Sequence, residues 1–421
     1  PGILGVLGAS VLVYTVAARV LTLASRTWDP FWGFLMPAAA VAIVAAVLTD
    51  TGIALVVVMA CAMITGVVSG GNFSLVAMAL LGGFFPALMV SRESTRHELR
   101  RTGLFTAFWV ALLAFCTSAI AFNREDLLLH TGIGFLNGAA CTIIAMGCLP
   151  FLETTFRVTT NPWLLELASP EQELLKDLAV RAPGTHTHSV MVANLAEAGA
   201  REIGSDPILA RVAAYYHDVG KMKRPQFFVE NQQAGMDPHA GMSPNLSSLV
   251  ITAHVRDGVD MLEDYHVPPD LIEIIRQHHG TGVVRFFYEK ANAAAGDREV
   301  DENRFRYHYE KPQRRTAGIL LLADAVEATA RTLRQPSASS IEQMVDRIVD
   351  DKLADGQLDK SHLTLQDISR LKKVFSKVLI STYHPRVDYP AVTGGDKGSA
   401  CKNKKRGSGA AEKRPPAQAG A

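Results

Sequence analysis

The sequence predicts an all-α protein, in which a polytopic transmembrane helix bundle is followed by an all-helical soluble domain. Three observations carry that expectation. Six apolar runs, at 3–23, 31–49, 52–69, 73–91, 104–122 and 132–151, each approach the ~20 residues that cross a bilayer as a helix. Beyond Glu153 the chain turns charged, and its apolar residues recur at helical rather than strand spacing. Cap-forming residues and prolines then fall where helices should begin, as in Ser205-Asp206-Pro207 and Pro268-Pro269-Asp270.

A chain of 421 residues has room for two or three domains. Its net charge of +1 and 20% charged residues average two unlike halves. The expected organisation is a bundle over 1–152, a coupling helix or linker over 153–183, a soluble domain over 184–390 and a disordered basic tail over 391–421. The tail is rich in Gly, Ala, Pro and Lys, with a basic cluster at Lys402–Arg406, and such a composition cannot bury a core. It is read as a solvated terminus rather than as a lipid- or nucleic-acid-binding segment.

The short polar connections between the six runs leave little room for a soluble arrangement, so all six are expected to span. The chain opens on Pro1, with no basic n-region and no signal-peptide pattern, and is expected to be an N-terminally truncated piece. Its one strongly basic loop, Ser91 to Arg101, should face the cytoplasm, and two further crossings then return residue 152 to that side. Asn123 to Asp126 carries no basic excess and suits the outer face. The soluble domain is therefore expected to be cytoplasmic. Five cysteines, Cys61, Cys116, Cys141, Cys148 and Cys401, form no CxxC pair, which excludes a zinc knuckle or a disulfide framework. Cys401 alone lies in the polar half, as suits a reducing compartment.

In the soluble half, Glu166 to Leu178 reads as an amphipathic helix that either couples membrane to domain or simply packs. Thr185 to Gly204 is a helix ending on glycine, and the next is expected to carry His217 and Asp218. The helix opened by Pro268 should end near His278 and His279, and one from Thr316 to about Leu333 holds Asp324.

These residues carry the chemistry. His188, His217, Asp218, His254, His278, His279 and Asp324 offer imidazole nitrogens and carboxylates, the donors that two adjacent divalent transition metals require. Only a carboxylate can bridge two ions, so Asp218 is the expected shared and catalytic ligand. His188, His217 and Asp324 complete one ion's set, and His254, His278 and His279 the other's. Two such ions generate a hydroxide and clamp a phosphate at neutral pH, a hydrolase arrangement rather than a redox one. Lys221, one turn after the His-Asp pair, is expected to bind phosphate and stabilise its charge. His186 cannot share a helix face with His188 and is read as a surface or hydrogen-bonding residue. His279 is read either as a ligand or as a donor supporting the others.

The order His188, His217-Asp218, His254, His278-His279, Asp324 resembles the HD superfamily of metal phosphohydrolases. Longer runs narrow the resemblance to the seven-transmembrane HD (PgpH-type) cyclic di-AMP phosphodiesterases: Ala182 to Thr185, His188 to Glu197, Tyr216 to Lys221, Glu230 to Gln232, Ile251 to Val255, Gln277 to Thr281 and Ala323 to Ala328. The resemblance covers nearly the whole chain. It implies a multi-pass protein of a bacterial plasma membrane with seven membrane helices and an extracytoplasmic sensor region, of which the sensor and the first helix are expected to be missing from this piece. It also implies a cytoplasmic HD domain with iron or manganese that linearises cyclic di-AMP to pApA. The partners it implies are cyclic di-AMP, membrane lipid, the sensor region and a second copy in a homodimer. His239 of Met236-Asp237-Pro238-His239 is expected to contact substrate, although the family commonly has Asn before Pro-His. His186 stands where the family has Tyr.

Three other readings are open. Cyclic di-GMP hydrolysis would call for a Gly-Tyr-Pro signature after the paired histidines, where this chain has Gly280-Thr281-Gly282. A non-catalytic nucleotide receptor usually loses metal ligands, and all seven are present. Action on an alarmone or a deoxynucleoside triphosphate is decided by the pocket, for which the loops 222–245 and 288–312 are the expected lining.

Overall fold

The computed structural model describes residues 2–28, 30–90, 96–120, 125–232, 235–296, 298–333 and 336–383. Among them are sixteen α-helices and no β-strand, the nearest approach being a single bridge between Val283 and Arg306. The first six helices form the apolar bundle: α1 (Gly2–Thr27), α2 (Ala38–Leu48), α3 (Thr51–Ser69), α4 (Phe73–Met89), α5 (Arg96–Ile120) and α6 (Leu127–Phe156). Four stretches, Ile3–Thr27, Thr51–Ser69, His97–Ile120 and Leu127–Phe156, are long and apolar enough to cross a membrane. The other two expected runs fold into shorter apolar helices, Trp32–Leu48 and Phe73–Met89.

Large apolar side chains cover the outside of the bundle, with Val67 and Leu128 each 84% exposed, which water would penalise and lipid does not. α2 has all eleven residues buried and is apolar all round, as a central helix must be. It is short because Pro37, which has no N–H, interrupts the run after Trp32. The carbonyls freed there are satisfied by Asn137, whose Nδ2 donates to Phe34 O at 2.9 Å and Met36 O at 3.1 Å. Gly134 and Gly138 let α6 lie against α5, for a Cβ on Gly138 would come within 2.6 Å of Ala107 Cα.

The bundle does not end at 152. α6 continues to Phe156, and Arg157 closes it in a left-handed conformation with φ 52°. The helix expected over Glu166–Leu178 is two helices, α7 (Asn161–Leu167) and α8 (Glu173–Arg181). Pro170 lies between them and removes a helical donor. The rest comprises α9 (Pro183–Glu202), α10 (Pro207–Tyr216), α11 (Pro244–Asp264), α12 (Pro269–Arg276), α13 (Arg285–Ala295), α14 (Arg315–Ala330), α15 (Ala338–Ala354) and α16 (Leu365–Thr382). Asp206 caps α10 by accepting from Leu209 N at 3.0 Å, with Pro207 at the first helical position. One core, including Leu178, Leu195, Leu262, Leu271, Ile319 and Phe375, joins all of the helices from α7 to α16 except α13. The expected tail, residues 91–95 of the basic loop and Asn123-Arg124 lie outside the described residues.

Candidate metal centre

Five separate elements deliver the expected ligands to one buried place. α9 presents His188 and α11 presents His254. His217 and Asp218 are not inside a helix as expected: α10 ends at Tyr216, His217 caps it, and Asp218 opens a tight 3-10 turn over Val219–Lys223. The helix stops because Gly220 must lie against α11, where any Cβ would come within 2.0 Å of His254 O. His278 and His279 follow α12 in a turn, and Asp324 sits in the middle of α14.

The seven side chains form two groups. Asp218, His254, His278 and His279 place one donor atom each within 4.8 Å of one another, and so do His188, His217 and Asp324. Asp218 faces both groups with different oxygens. Its Oδ1 lies 3.2 Å from His254 Nε2 and 3.9 Å from His278 Nε2, and its Oδ2 lies 3.1 Å from His217 Nε2 and 3.5 Å from His188 Nε2. Asp324 Oδ1 is 3.1 Å from His188 Nε2, and its Oδ2 is 3.5 Å from His279 Nδ1.

Backbone carbonyls set the imidazole tautomers. Nδ1–H of His217 donates to Ala214 O at 2.7 Å, that of His254 to Ile251 O at 2.6 Å and that of His278 to Ile275 O at 2.5 Å. Each Nε2 therefore points into the cluster, the nitrogen that a metal would take once any proton on it is displaced. His188 reaches the same state by donating from Nδ1 to the buried Glu327 carboxylate. His217 Nε2 and Asp218 Oδ1 are buried without a hydrogen-bond partner, a costly arrangement for polar atoms that a bound cation resolves. The donor set thus fits divalent transition metals.

The electrostatics agree. Asp218, Asp324, Glu230 and Glu327 bring four carboxylates together with one lysine, Lys221, whose Nζ lies 2.7 Å from Asp218 Oδ2 and 2.9 Å from Glu230 Oε1. Burial opposes the charged forms of Asp218, Asp324, Glu230 and Lys221, and mutual attraction overrides it. The Asp218 carboxyl is held well below the usual range by His217 and Lys221, and Asp218 in turn raises His217 to about 10 and Lys221 above its ordinary value. His278 goes the other way: burial, with His217 and His254 beside it, pushes it down to about 3.

A cavity of about 400 Å³ opens onto this cluster, with His188, Lys221, Glu230, His254, His279 and Asp324 in its wall. A second, of about 650 Å³, shares His279, Tyr307 and Asp324 with it and adds Arg285, Arg306 and Lys352. Segments 222–245 and 288–312 contribute Phe228, Val229, Glu230, Tyr288, Glu289, Glu302, Arg306 and Tyr307 to these walls. His239 lines neither cavity. It packs against Phe227 and Phe287, with its Nε2 2.9 Å from Phe227 O. His186, two residues before the ligand His188, is half-buried and stands apart from both groups.

Sequence reasoning assigned no role to Glu327, Glu230 or Tyr307. Glu327 follows Asp324 by three residues, one turn along the same helix, a spacing that could have flagged it. Glu230 is held by Thr185, whose Oγ1 donates to it at 3.0 Å across a contact so close that a Cβ on Gly184 would fall 1.9 Å from Glu230 O. Tyr307 stacks on His279 at 4.3 Å between ring centroids, and no periodicity foretells that contact.

Comparison with known proteins matches residues 3–160 to the family described as "7TM receptor with intracellular HD hydrolase" and residues 185–329 to the HD domain. The chain is 38% identical over 372 residues to the cyclic-di-AMP phosphodiesterase PgpH of Bacillus subtilis, covering 86% of this chain and 52% of that protein. It is 37% identical over 315 residues to the protein of that name from Listeria monocytogenes, covering 74% of this chain and 44% of the relative. It thus spans about half the length of the curated relatives it matches. A crystal structure of the L. monocytogenes PgpH HD domain in complex with cyclic-di-AMP is 40% identical, covering 52% of this chain and all of that one, with a TM-score of 0.49.

Proposed function

Because this chain belongs to the seven-transmembrane HD-domain family that includes the PgpH proteins, we propose that it hydrolyses cyclic di-AMP to linear pApA with two bound iron or manganese ions. The observation that carries the proposal is the meeting of His188, His217 and Asp324 with His254, His278 and His279 around one buried carboxylate, Asp218. The substrate class rests on the names of the relatives.

Ions held there supply an activated water and neutralise phosphate oxygens. The chain's own residues do the rest. Asp218 gives one oxygen to each group, which fixes the two sites relative to each other. The Nδ1–H bonds of His217, His254 and His278 to backbone carbonyls keep three donors aimed inward before substrate arrives. Lys221, fixed between Asp218 and Glu230, is placed to hold a phosphate oxygen in the smaller cavity. Addition of one water across a phosphodiester breaks the bond from phosphorus to the 3′-oxygen, which leaves with a proton, and the remaining 5′-phosphate makes the product pApA.

The same proposal places all six apolar segments across a bacterial plasma membrane, with the catalytic domain on the cytoplasmic side. It includes an extracytoplasmic sensor region and a second copy of the chain as partners. Metal analysis of the full chain, purified in detergent and saturated with Mn or Fe, is the test of the site. Two ions per chain are expected, and Asp218→Ala should retain neither while its far-UV circular dichroism stays helical. A wild-type stoichiometry of one or less overturns the two-ion site.

A further inference from the structure

A third cleft, of about 680 Å³, lies away from the metal cluster, where the end of α6 meets α7, α11 and α12. Thr154 and Arg157 line it from the end of the membrane helix, Trp163 from α7, and Glu263, His266, Pro269, Glu273 and Arg276 from the soluble domain. Val267 and Ile272, 5% and 8% exposed, are its apolar lining.

The charges around it are unevenly matched. Arg276 lies 3.5 Å from Glu263, and Glu273 is taken by Arg314 at 3.2 Å, so both lining acids have cationic partners. Arg157 and His266 have no ion-pair partner among the described residues. Both backbones are left-handed, with φ 52° and 53°, a strained choice for non-glycine residues that fixes where these side chains leave the chain.

The position supplies the ligand. α6 is long and apolar enough to cross a membrane, and the apolar side chains it leaves exposed include Ile143, 71% exposed, and Phe151, 66% exposed. Thr154 and Arg157 come one and two turns after Phe151, at headgroup depth, and a partly buried tryptophan beside them is the side chain that favours that boundary. We propose that this cleft binds the phosphate headgroup of an anionic phospholipid, with Arg157 and His266 as the donors and Trp163 at the lipid boundary. This site is separate from the catalytic one, although α12, which lines it, ends two residues before His278.

The test uses the full chain in detergent, with no nucleotide present, so its outcome does not depend on the catalytic reading. Short-chain phosphatidylglycerol, short-chain phosphatidylcholine and inorganic phosphate are titrated while tryptophan fluorescence is followed. Phosphatidylglycerol should give a saturable change that the other two probes do not match and that Trp163→Phe, which leaves the other three tryptophans, abolishes. Loss of the Arg157 guanidinium and the His266 ring donor in the Arg157→Ala/His266→Ala double variant should weaken binding by at least about tenfold. Glu263→Gln, which removes a negative charge and releases Arg276, should tighten it. Absence of a saturable response, equal response to the two lipids, or unchanged affinity in the double variant overturns the proposal. A response to inorganic phosphate that equals or exceeds the lipid response overturns the lipid as occupant.

Discussion

Replacing Gly220 by alanine should disrupt the metal centre through the backbone alone. The added Cβ would stand 2.0 Å from His254 O and 2.4 Å from Gly258 N, both backbone atoms of α11. Ordinary contact begins near 3.5 Å, so α11 and the turn carrying Asp218 must part by about 1.5 Å. That is several times the ~0.2 Å tolerance of a metal–ligand bond, and it acts on the pair Asp218 Oδ1 and His254 Nε2, now 3.2 Å apart. Overpacking of this kind costs about 1–3 kcal/mol, which for a domain of this size lowers Tm by about 2–12 °C. Differential scanning fluorimetry on chelated protein reads the packing term, and metal analysis on reloaded protein reads the ligand term. Gly258→Ala is the control, since its Cβ comes no closer than 3.3 Å to Gly220 N and should cost less. A Gly220→Ala protein with wild-type Tm and a full complement of ions would refute the claim that this close approach sets the ligand geometry.

Three further outcomes are expected. Glu327→Gln keeps an acceptor for His188 Nδ1 but removes its charge, so metal affinity measured by chelator competition should fall by about 10- to 100-fold, and an unchanged affinity contradicts the role given to Glu327. His217, raised to about 10 by Asp218 against the effect of burial, carries a proton at neutral pH that metal must displace. Metal affinity should therefore decline from pH 8 to pH 6, and titration calorimetry in buffers of different ionisation enthalpy should show proton release, whereas proton uptake would reverse the argument. In intact cells, an external thiol reagent should label a cysteine placed near residue 127 and spare one near residue 96; the reverse pattern puts the soluble domain outside the cytoplasm.

Much of the architecture was legible because its causes are local. Apolar runs of membrane length, the Asp206-Pro207 cap and the Pro268-Pro269 start all depend on neighbouring residues. The ligand types were legible because few side chains bind transition metals. Long-range contacts were not. The sequence places His217 and Asp218 on a helix because Ala213 to Tyr216 continues the pattern, but the approach of Gly220 to α11 ends that helix early. Glu230 reaches Lys221 only because the 3-10 turn at Val229–Asn231 is held against α9, and Tyr307 reaches His279 from a loop whose path no spacing records. His239 comes from a motif, and in the fold it packs against Phe227 and Phe287, outside the two cavities at the metal cluster.

The most direct measurement is a hydrolysis panel with the full chain in detergent, loaded with Mn or Fe, in which cyclic di-AMP, cyclic di-GMP, an alarmone and a deoxynucleoside triphosphate are each supplied and products resolved by chromatography. The account predicts conversion of cyclic di-AMP to pApA, abolished in His188→Ala and Asp324→Ala variants that keep their helical circular dichroism. Much faster turnover of any other nucleotide, or no turnover of cyclic di-AMP by protein holding both ions, would contradict it.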